Sequence, residues 1–270
     1  MHTEMWEHPA TQANVATLRV RGAVILGPAS GELAGGDVGS GRMLEPDDIV
    51  AALEIDRTGP LAGKRVLVSA GGTREAIDPV RYIGNRSSGK MGHAVAAEAR
   101  LMGADVVLVT TQPEQAPEGV EVLGVETAQE MAEVVWTQAV ETDLAVLAAA
   151  VADYRPANPA TDKLRRSDGP PEIALEATPD ILAGVVAAES GPVVVGFAAE
   201  VGSTDGAVEK ARSKGVDFLV GNDVAKAGSG FGTETNEVVF VRADGSSEAW
   251  PLLSKSDVAR RLLTVVAEAL

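Results

Sequence analysis

The sequence predicts an α/β fold: a mostly parallel sheet with helices on both faces and an antiparallel hairpin at one edge. Three observations predict it. From residue 64 onward, short continuous apolar runs alternate with segments of helical periodicity, the pattern of a parallel sheet covered on both sides. The apolar runs end in small or polar residues. One late pair of runs is joined by Ala243, Asp244 and Gly245, a hairpin signal, instead of by a helix.

The elements follow in order. "ATQANVATLRVRG" (10–22) supports a short helix, and "AVILGPA" (23–29) a short buried strand. "GELAGGDVGSGRMLEP" (31–46) is Gly-rich, lacks apolar periodicity and reads as an extended loop or interdomain connection. "EPDDIVAALEI" (45–55) reads as a helix with acidic residues in its first turn. These pieces are too few to close a core, so residues 1–60 form an appendage and 61–270 the main domain. There, "KRVLVSAGGT" (64–73) is a strand running into glycines, and "GKMGHAVAAEARLMG" (89–103) a helix that Gly103 ends. Strands are read at "ADVVLVTT" (104–111), "DLAVLAAAVADY" (143–154), "PVVVGFAAE" (192–200) and "VDFLVGNDV" (216–224). Helices at "TAQEMAEVVWTQAV" (127–140), "TPDILAGVVAAE" (178–189) and "TDGAVEKARSKG" (204–215) lie between them. "NEVVFVRADGSSEAWPL" (236–252) is the antiparallel edge hairpin, and "SKSDVARRLLTVVAEAL" (254–270) an amphipathic closing helix. The plan is Rossmann-like. Open parallel sheets bind ligands at the carboxyl ends of their strands, which singles out Gly71, Gly72, Thr73, Asp153, Phe197, Glu200, Asn222 and Asp223.

Composition narrows the function. The chain has 270 residues, 45% of them hydrophobic, enough for one large domain with an appendage. There is no cysteine, which excludes disulfides, zinc–thiolate sites and thiol nucleophiles within the chain. The sequence carries no apolar run of membrane-spanning length and no secretion-signal pattern at its N-terminus, so a soluble, cytoplasmic protein is expected. A formal net charge of -16 repels nucleic acid and anionic membranes, and aromatics at 3% are too few for base stacking. In so acidic a body, an anionic substrate needs a local cluster of positive residues.

Three stretches could supply that cluster. In "SAGGTREAIDPVRYIGNRSSGK", Ser87 or Ser88 would cap the helix beginning near Gly89, and its free N–H groups with Lys90 and Arg86 would seat an anion. Ser at a helix N-cap is equally a plain structural feature, and the residues alone leave both readings open. Neither GxGxxG nor GxxxxGK[ST] is present. In "AAAVADYRPANPATDKLRR", Asp153 ends a strand, and Lys163, Arg165 and Arg166 follow a Pro-containing segment with the texture of a closing lid. A solvated charge run is the commoner fate of such clusters. Lys210 and Lys214 share one helical face, by themselves a weak signal. His93 reads as a packing or surface residue, and no Ser–His–Asp triad or metal cluster is visible. The chemistry must rest on positioning and electrostatics.

"SAGGTREAIDPVRYIGNRSSGKMG", "AAAVADYRP", "KLRR", "TPDIL", "VGFAAE", "GNDV" and "FGTETNEV" occur in one order that closely resembles a known family. It is the phosphopantothenate–cysteine ligase (phosphopantothenoylcysteine synthetase) domain of the bifunctional bacterial coenzyme A biosynthesis protein. The resemblance runs from about Gly63 to the C-terminus. The N-terminal segment, with "MHTEMW", resembles the end of the flavin-dependent phosphopantothenoylcysteine decarboxylase that precedes the ligase in such proteins, although His2 stands where Asn is usual. The resemblance therefore implies a truncated form or fragment keeping the ligase, without FMN binding or decarboxylation.

The family's reaction joins CTP and 4'-phosphopantothenate into an acyl-cytidylate with release of pyrophosphate. The amine of cysteine then displaces CMP. The resemblance implies Mg²⁺ as cofactor, a homodimer through the ligase domain, and a decarboxylase domain as partner in the full-length protein. It assigns Asn85 to the acyl-cytidylate, Arg81 to the cysteine-dependent half, and Lys163 to the triphosphate and pentavalent phosphorus. Ala149, Ala150 and Asp153 become cytidine and ribose contacts. Pro179, Asp180, Ile181, Leu182, Phe197, Lys210 and Lys214 become further nucleotide contacts, and Ser87, Ser88, Gly89 and Lys90 the loop at the phosphates. The sequence departs from the family at Gly72 (Pro is frequent), Arg86 (His is frequent) and "KLRR" for K-I-K-K, which leaves Arg165 and Arg166 without assigned roles. The base preference, CTP over ATP, comes from the resemblance alone. A nicotinamide-dependent oxidoreductase is the rival, opposed by the missing GxGxxG and the lack of an acidic ribose partner.

Overall fold

The computed structural model describes all residues except 22, 34, 47, 51–58, 189, 201, 203–205, 227 and 231. It divides into two compact units, residues 1–56 and 57–270.

The smaller unit holds helices α1 (Thr3–Glu7) and α2 (Pro9–Val20) and an antiparallel pair, β1 (Ala29–Glu32) with β2 (Val38–Arg42). Two expectations are corrected here. Residues 23–28 form no strand, and Val24 is exposed; pairing begins only at Ala29, where Val38–Arg42 supplies a partner. The Gly-rich segment is a hairpin and not an extended loop, because strands of glycine and serine pair through backbone alone and leave no apolar alternation to read. Most of the helix expected at 45–55 lies outside the described residues.

The larger unit is built on an eight-stranded sheet. Its parallel strands are β3 (Arg65–Ala70), β6 (Asp105–Thr110), β7 (Glu121–Gly124), β8 (Leu144–Leu147), β11 (Val193–Glu200) and β12 (Phe218–Asp223). They lie in the order β7-β6-β3-β8-β11-β12, the doubly wound arrangement whose direction of growth reverses between β3 and β8. The expected edge hairpin, β13 (Thr235–Arg242) and β14 (Ser247–Ser254), pairs antiparallel onto β12. β7 was not read from the sequence; its exposed, short "EVLG" carries no continuous apolar run.

Alternate side chains of each strand feed two cores, as a period of two requires. Val66, Val68 and Ala70 join Val106, Leu108, Leu144 and Val146 beneath α3 (Lys90–Leu101) and α7 (Lys255–Ala267). Leu67, Val107, Val109 and Ala145 face the opposite way, beneath α4 (Ala128–Ala139), α5 (Ile181–Val186) and α6 (Ala207–Lys214). Phe218, Phe240 and the fully buried Trp250 stack at 5.5 and 5.0 Å between ring centroids, tying the antiparallel edge to the parallel sheet.

Two small hairpins stand outside the main sheet. β4 (Arg74–Ala76) pairs with β5 (Tyr82–Gly84), and β9 (Tyr154–Pro156) with β10 (Leu175–Ala177). The strand expected across 143–154 is therefore two elements. After Leu147 the chain leaves the sheet and is stitched to the loop beyond β3: Ala150 N–H donates to Gly71 O at 2.8 Å, and Thr73 N–H to Ala150 O at 3.3 Å.

Candidate active site

The reversal point between β3 and β8 is where the site forms. Gly71 turns the chain there with φ +91°, and a Cβ would lie 2.1 Å from Thr111 Oγ1, so only glycine fits. Two buried hydroxyls fix the facing segment: Ser69 Oγ accepts from Ala149 N–H at 3.2 Å, and Thr73 Oγ1 from Ala152 N–H at 2.9 Å. Residues 148–152 thereby become a rigid backbone crest.

A cavity of about 620 Å³ opens on the α5 and α6 side of this crest. Asn85, Ala149, Ala150, Asp153, residues 179–182, Phe197, Lys210 and Lys214 line it, bringing together most of the residues proposed from sequence. Asn85 Nδ2 donates to Val151 O at 2.9 Å and Ala150 O at 3.3 Å, so its amide rests on the crest. Asp180 caps α5 by accepting from Ala183 N–H at 3.0 Å and takes Lys214 Nζ at 2.7 Å. The Lys214 hydrogen bond holds the Asp180 carboxyl below its usual range. Lys210 Nζ reaches Glu200 Oε1 at 2.9 Å. Both lysines thus cross a cleft wall as ion pairs that an anionic ligand can recruit.

A second cavity, about 110 Å³, opens on the α3 and α7 side. Ser87, Ser88, Gly89 and Lys90 line it, with Asn222, Asn236 and Lys255; it shares Ala149, Ala150, Phe197 and Ala199 with the larger cleft. The expected serine cap is corrected. Gly89 itself is the N-cap of α3, in the left-handed region at φ +71°, and no side chain caps the helix. Ser87 Oγ accepts from Gly89 N–H, and Ser88 Oγ from Gly232 N–H, both at 3.3 Å. The first-turn N–H groups are left for a ligand. Lys90 does not point freely at this space: Nζ pairs with Glu234 and donates to Gly232 O at 3.2 Å. His93 is buried with Nε2 3.0 Å from Thr110 Oγ1, and burial lowers its pKa against the opposing pull of Glu114; it packs into the fold.

Arg81 and Lys163 line neither cavity. Sequence reasoning missed the residue that organises them. Asp78, 2% exposed, accepts from Val80 and Arg81 N–H at 2.8 Å, from Leu164 N–H at 3.1 Å, and from Arg81 Nε and Nη2 at 3.0 and 2.6 Å. Burial raises its pKa, but these donors outweigh it and hold the carboxyl at about 2. Arg81 Nη2 also donates to Leu164 O at 2.5 Å, so Asp78 and Arg81 together moor the segment carrying the exposed Lys163, Arg165 and Arg166. Thr73 was singled out only by its place beyond β3, and Ser69, Asn236 and Lys255 were missed altogether. Of these only Lys255 left a signal, a cation at the first position of a helix, where the dipole disfavours it. Among the described residues no three His, Asp or Glu side chains gather as a metal site.

Comparison with known proteins agrees with this architecture. Residues 61–270 match the family model of the DNA/pantothenate metabolism flavoprotein C-terminal domain, and residues 1–56 match the Flavoprotein family. The Coenzyme A biosynthesis bifunctional protein CoaBC of Mycobacterium tuberculosis is 47% identical over 98% of this chain and 68% of its own length. That of Vibrio vulnificus is 46% identical over 97% and 67%. A crystal structure of the C-terminal domain of a CoaBC protein superposes with TM-score 0.65 at 38% identity, covering 78% of this chain and 97% of that one. The chain therefore belongs to the family of the DNA/pantothenate metabolism flavoprotein C-terminal domain, the ligase portion of bifunctional coenzyme A biosynthesis proteins that its motifs resemble.

Proposed function

We propose that this chain is a phosphopantothenate–cysteine ligase of coenzyme A biosynthesis, working in the cytoplasm with CTP as the activating nucleotide. The observation that carries the reading is the pair of cavities meeting over one backbone crest, with the Asn85 amide resting on it. An adenylation-like ligation needs two substrates brought end to end at one phosphorus, and the crest is where they would meet.

In this reading the nucleoside occupies the larger cleft, against Phe197 and residues 179–182, with Asp153 toward the ribose and Lys210 and Lys214 toward the phosphates. The carboxylate of 4'-phosphopantothenate attacks the α-phosphorus of CTP, and the bond to pyrophosphate breaks. The cysteine amine then attacks the acyl carbon, loses a proton, and CMP leaves. Asn85 is a donor beside the carbonyl oxygen, whose charge grows in both steps. It already spends its N–H groups on two crest carbonyls, so recruitment by substrate is a switch between partners and not an ordering from disorder. Lys163 reaches the triphosphate when its tethered segment closes, and Arg81 serves the cysteine-dependent half. Mg²⁺ would be held here chiefly by phosphate oxygens and water, which asks few ligands of a site where no three acidic or His side chains gather among the described residues. When bound, it neutralises phosphate charge.

We also infer a homodimer through the larger unit. Val80, Tyr82, Tyr154, Ile173 and Leu175 are exposed apolar side chains on or beside the two small hairpins, a grouping that calls for cover. FMN binding is not proposed, and a decarboxylase domain is the expected partner in a full-length protein. Incubation with CTP, Mg²⁺, 4'-phosphopantothenate and cysteine should release pyrophosphate and, only with cysteine, CMP. NAD(P)H-linked turnover without CMP release would favour the oxidoreductase instead.

A further inference from the structure

Glu75 is a charged residue buried with no opposite charge beside it. It lies in β4, a strand of three residues, and is 3% exposed. Its Oε1 accepts from the N–H of Ala128 at 2.9 Å, a contact that spans 53 positions of chain. Among the described residues it forms no ion pair. Burying a carboxylate without a cation is costly, and here the positive end of α4, whose first residue is Ala128, is what offsets the charge.

The helix does not need this acceptor. A capping box already closes α4: Thr127 Oγ1 accepts from Glu130 N–H at 3.2 Å, and Glu130 Oε2 accepts from Thr127 N–H at 3.2 Å and Glu126 N–H at 2.8 Å. The contact serves the hairpin instead. β4 and β5 pair only with each other, outside the main sheet, and a two-stranded ribbon is marginal on its own. Its base is tied to the start of α4 at two adjacent points, the Glu75–Ala128 bond and Arg74 N–H donating to Glu126 O at 2.9 Å. Its tip carries Asp78 and Arg81, which moor the segment of Lys163 through Leu164.

Across the ladder Glu75 faces Ile83 and Arg74 faces Gly84. A Cβ on Gly84 would lie 2.6 Å from Thr73 O, so the ribbon runs close against the loop beyond β3. The next residue is Asn85, with its amide on Val151 O and Ala150 O. The position of the anchor is thus passed to Asn85 within two residues of the paired strand.

We propose that Glu75 is a positioning residue for Asn85: by tying β4 to the first turn of α4, it holds the Asn85 carboxamide at its place over the crest. Glu75 lines neither cavity, and it acts through the hairpin. The proposal rests on the ligase reading for what Asn85 does there, and not for where Asn85 is held.

Turnover and spectroscopy test it together. Glu75→Ala should lower kcat for cysteine-dependent CMP release by about 10–100-fold with the Kd for CTP unchanged, the effect of misplacing a group by about 1 Å. Glu75→Gln keeps an oxygen for Ala128 N–H and should recover most of that loss. In an Asn85→Ala protein, Glu75→Ala should add almost nothing, because both changes remove the same contribution. The side-chain amide signals of Asn85 in ¹⁵N NMR, identified by their disappearance in Asn85→Ala, should shift in Glu75→Ala and stay in place in Glu75→Gln. If Glu75→Ala does not fold, Ala128→Pro removes the donor instead, at the first helical position where proline is favoured, and should show the same losses. Unshifted Asn85 signals in the folded variant would overturn the proposal. So would an unaltered kcat, a further loss of the same size in the Asn85→Ala background, or a loss of CTP affinity as large as that of kcat. A wild type that releases no CMP would sink the ligase reading, and the Asn85 signals would still decide whether Glu75 holds that side chain.

Discussion

Asn85 and Asp78 act by different physics. Asn85 offers an amide that can donate; an aspartate in its place is the same size but accepts only. Asn85→Asp is therefore expected to lower kcat by about 10²–10³, the effect of removing one oxyanion donor, with CTP affinity retained in calorimetry. A collapse of CTP affinity would contradict the role given to Asn85. Asp78 touches no cavity described above and acts through Arg81 and Leu164, so it is a positioning residue. Its folded pKa of about 2 lies below the ordinary value of about 3.9 for an unfolded chain. The stabilisation is therefore complete above about pH 4 and lost as pH falls toward 2. The melting temperature of Asp78→Asn should lie below that of the wild type at neutral pH, with the gap closing in that window. The stretches that hold Asn85 and Lys163 stood out because polar residues gathered in motifs show in an acidic chain, while the roles given to Asn85, Arg81 and Lys163 come from the family resemblance. Asp78 and Ser69 did not stand out, and of Thr73 only the place beyond β3 was read: they hold backbone groups, some of them about eighty positions away, and a side chain that serves a distant N–H leaves no local pattern.

At the scale of elements, α3 links the core to the smaller cavity through Gly92. A Cβ there would sit 2.6 Å from Ala70 Cβ and 2.9 Å from Ser69 O, so the helix can approach β3 only because glycine is present. Gly92→Ala is expected to cost about 1–3 kcal/mol by overpacking, read as a lowered melting temperature, and to displace the anion-facing end of α3. The long apolar strands and their covering helices were legible, since burial on both faces writes a continuous run. The three-residue strands β4, β5, β9 and β10 were not, being too short for any period to show. The cap of α3 was misread because serine beside a helix start is the usual solution, whereas here Gly89 takes the left-handed turn and leaves the N–H groups open.

On the scale of the whole molecule, strand order and charge give the same location for the site. The sheet reverses direction between β3 and β8, and there donors and cations converge within a body of net charge -16. Parallel order could not be read from sequence, because every buried strand looks alike until its neighbours are known. The proposed dimer has its own check. Leu175→Glu, on the exposed apolar hairpin, should convert a dimer to monomer by light scattering while the fold persists; an unaltered dimer would move the interface elsewhere. The central claim is that two substrates are joined across the crest at residues 148–152. Its most direct measurement follows CMP release from CTP with 4'-phosphopantothenate and Mg²⁺, with and without cysteine. CMP released only when cysteine is present, with pyrophosphate formed, is the result predicted. No CMP with cysteine present, from folded protein that binds CTP, would contradict it.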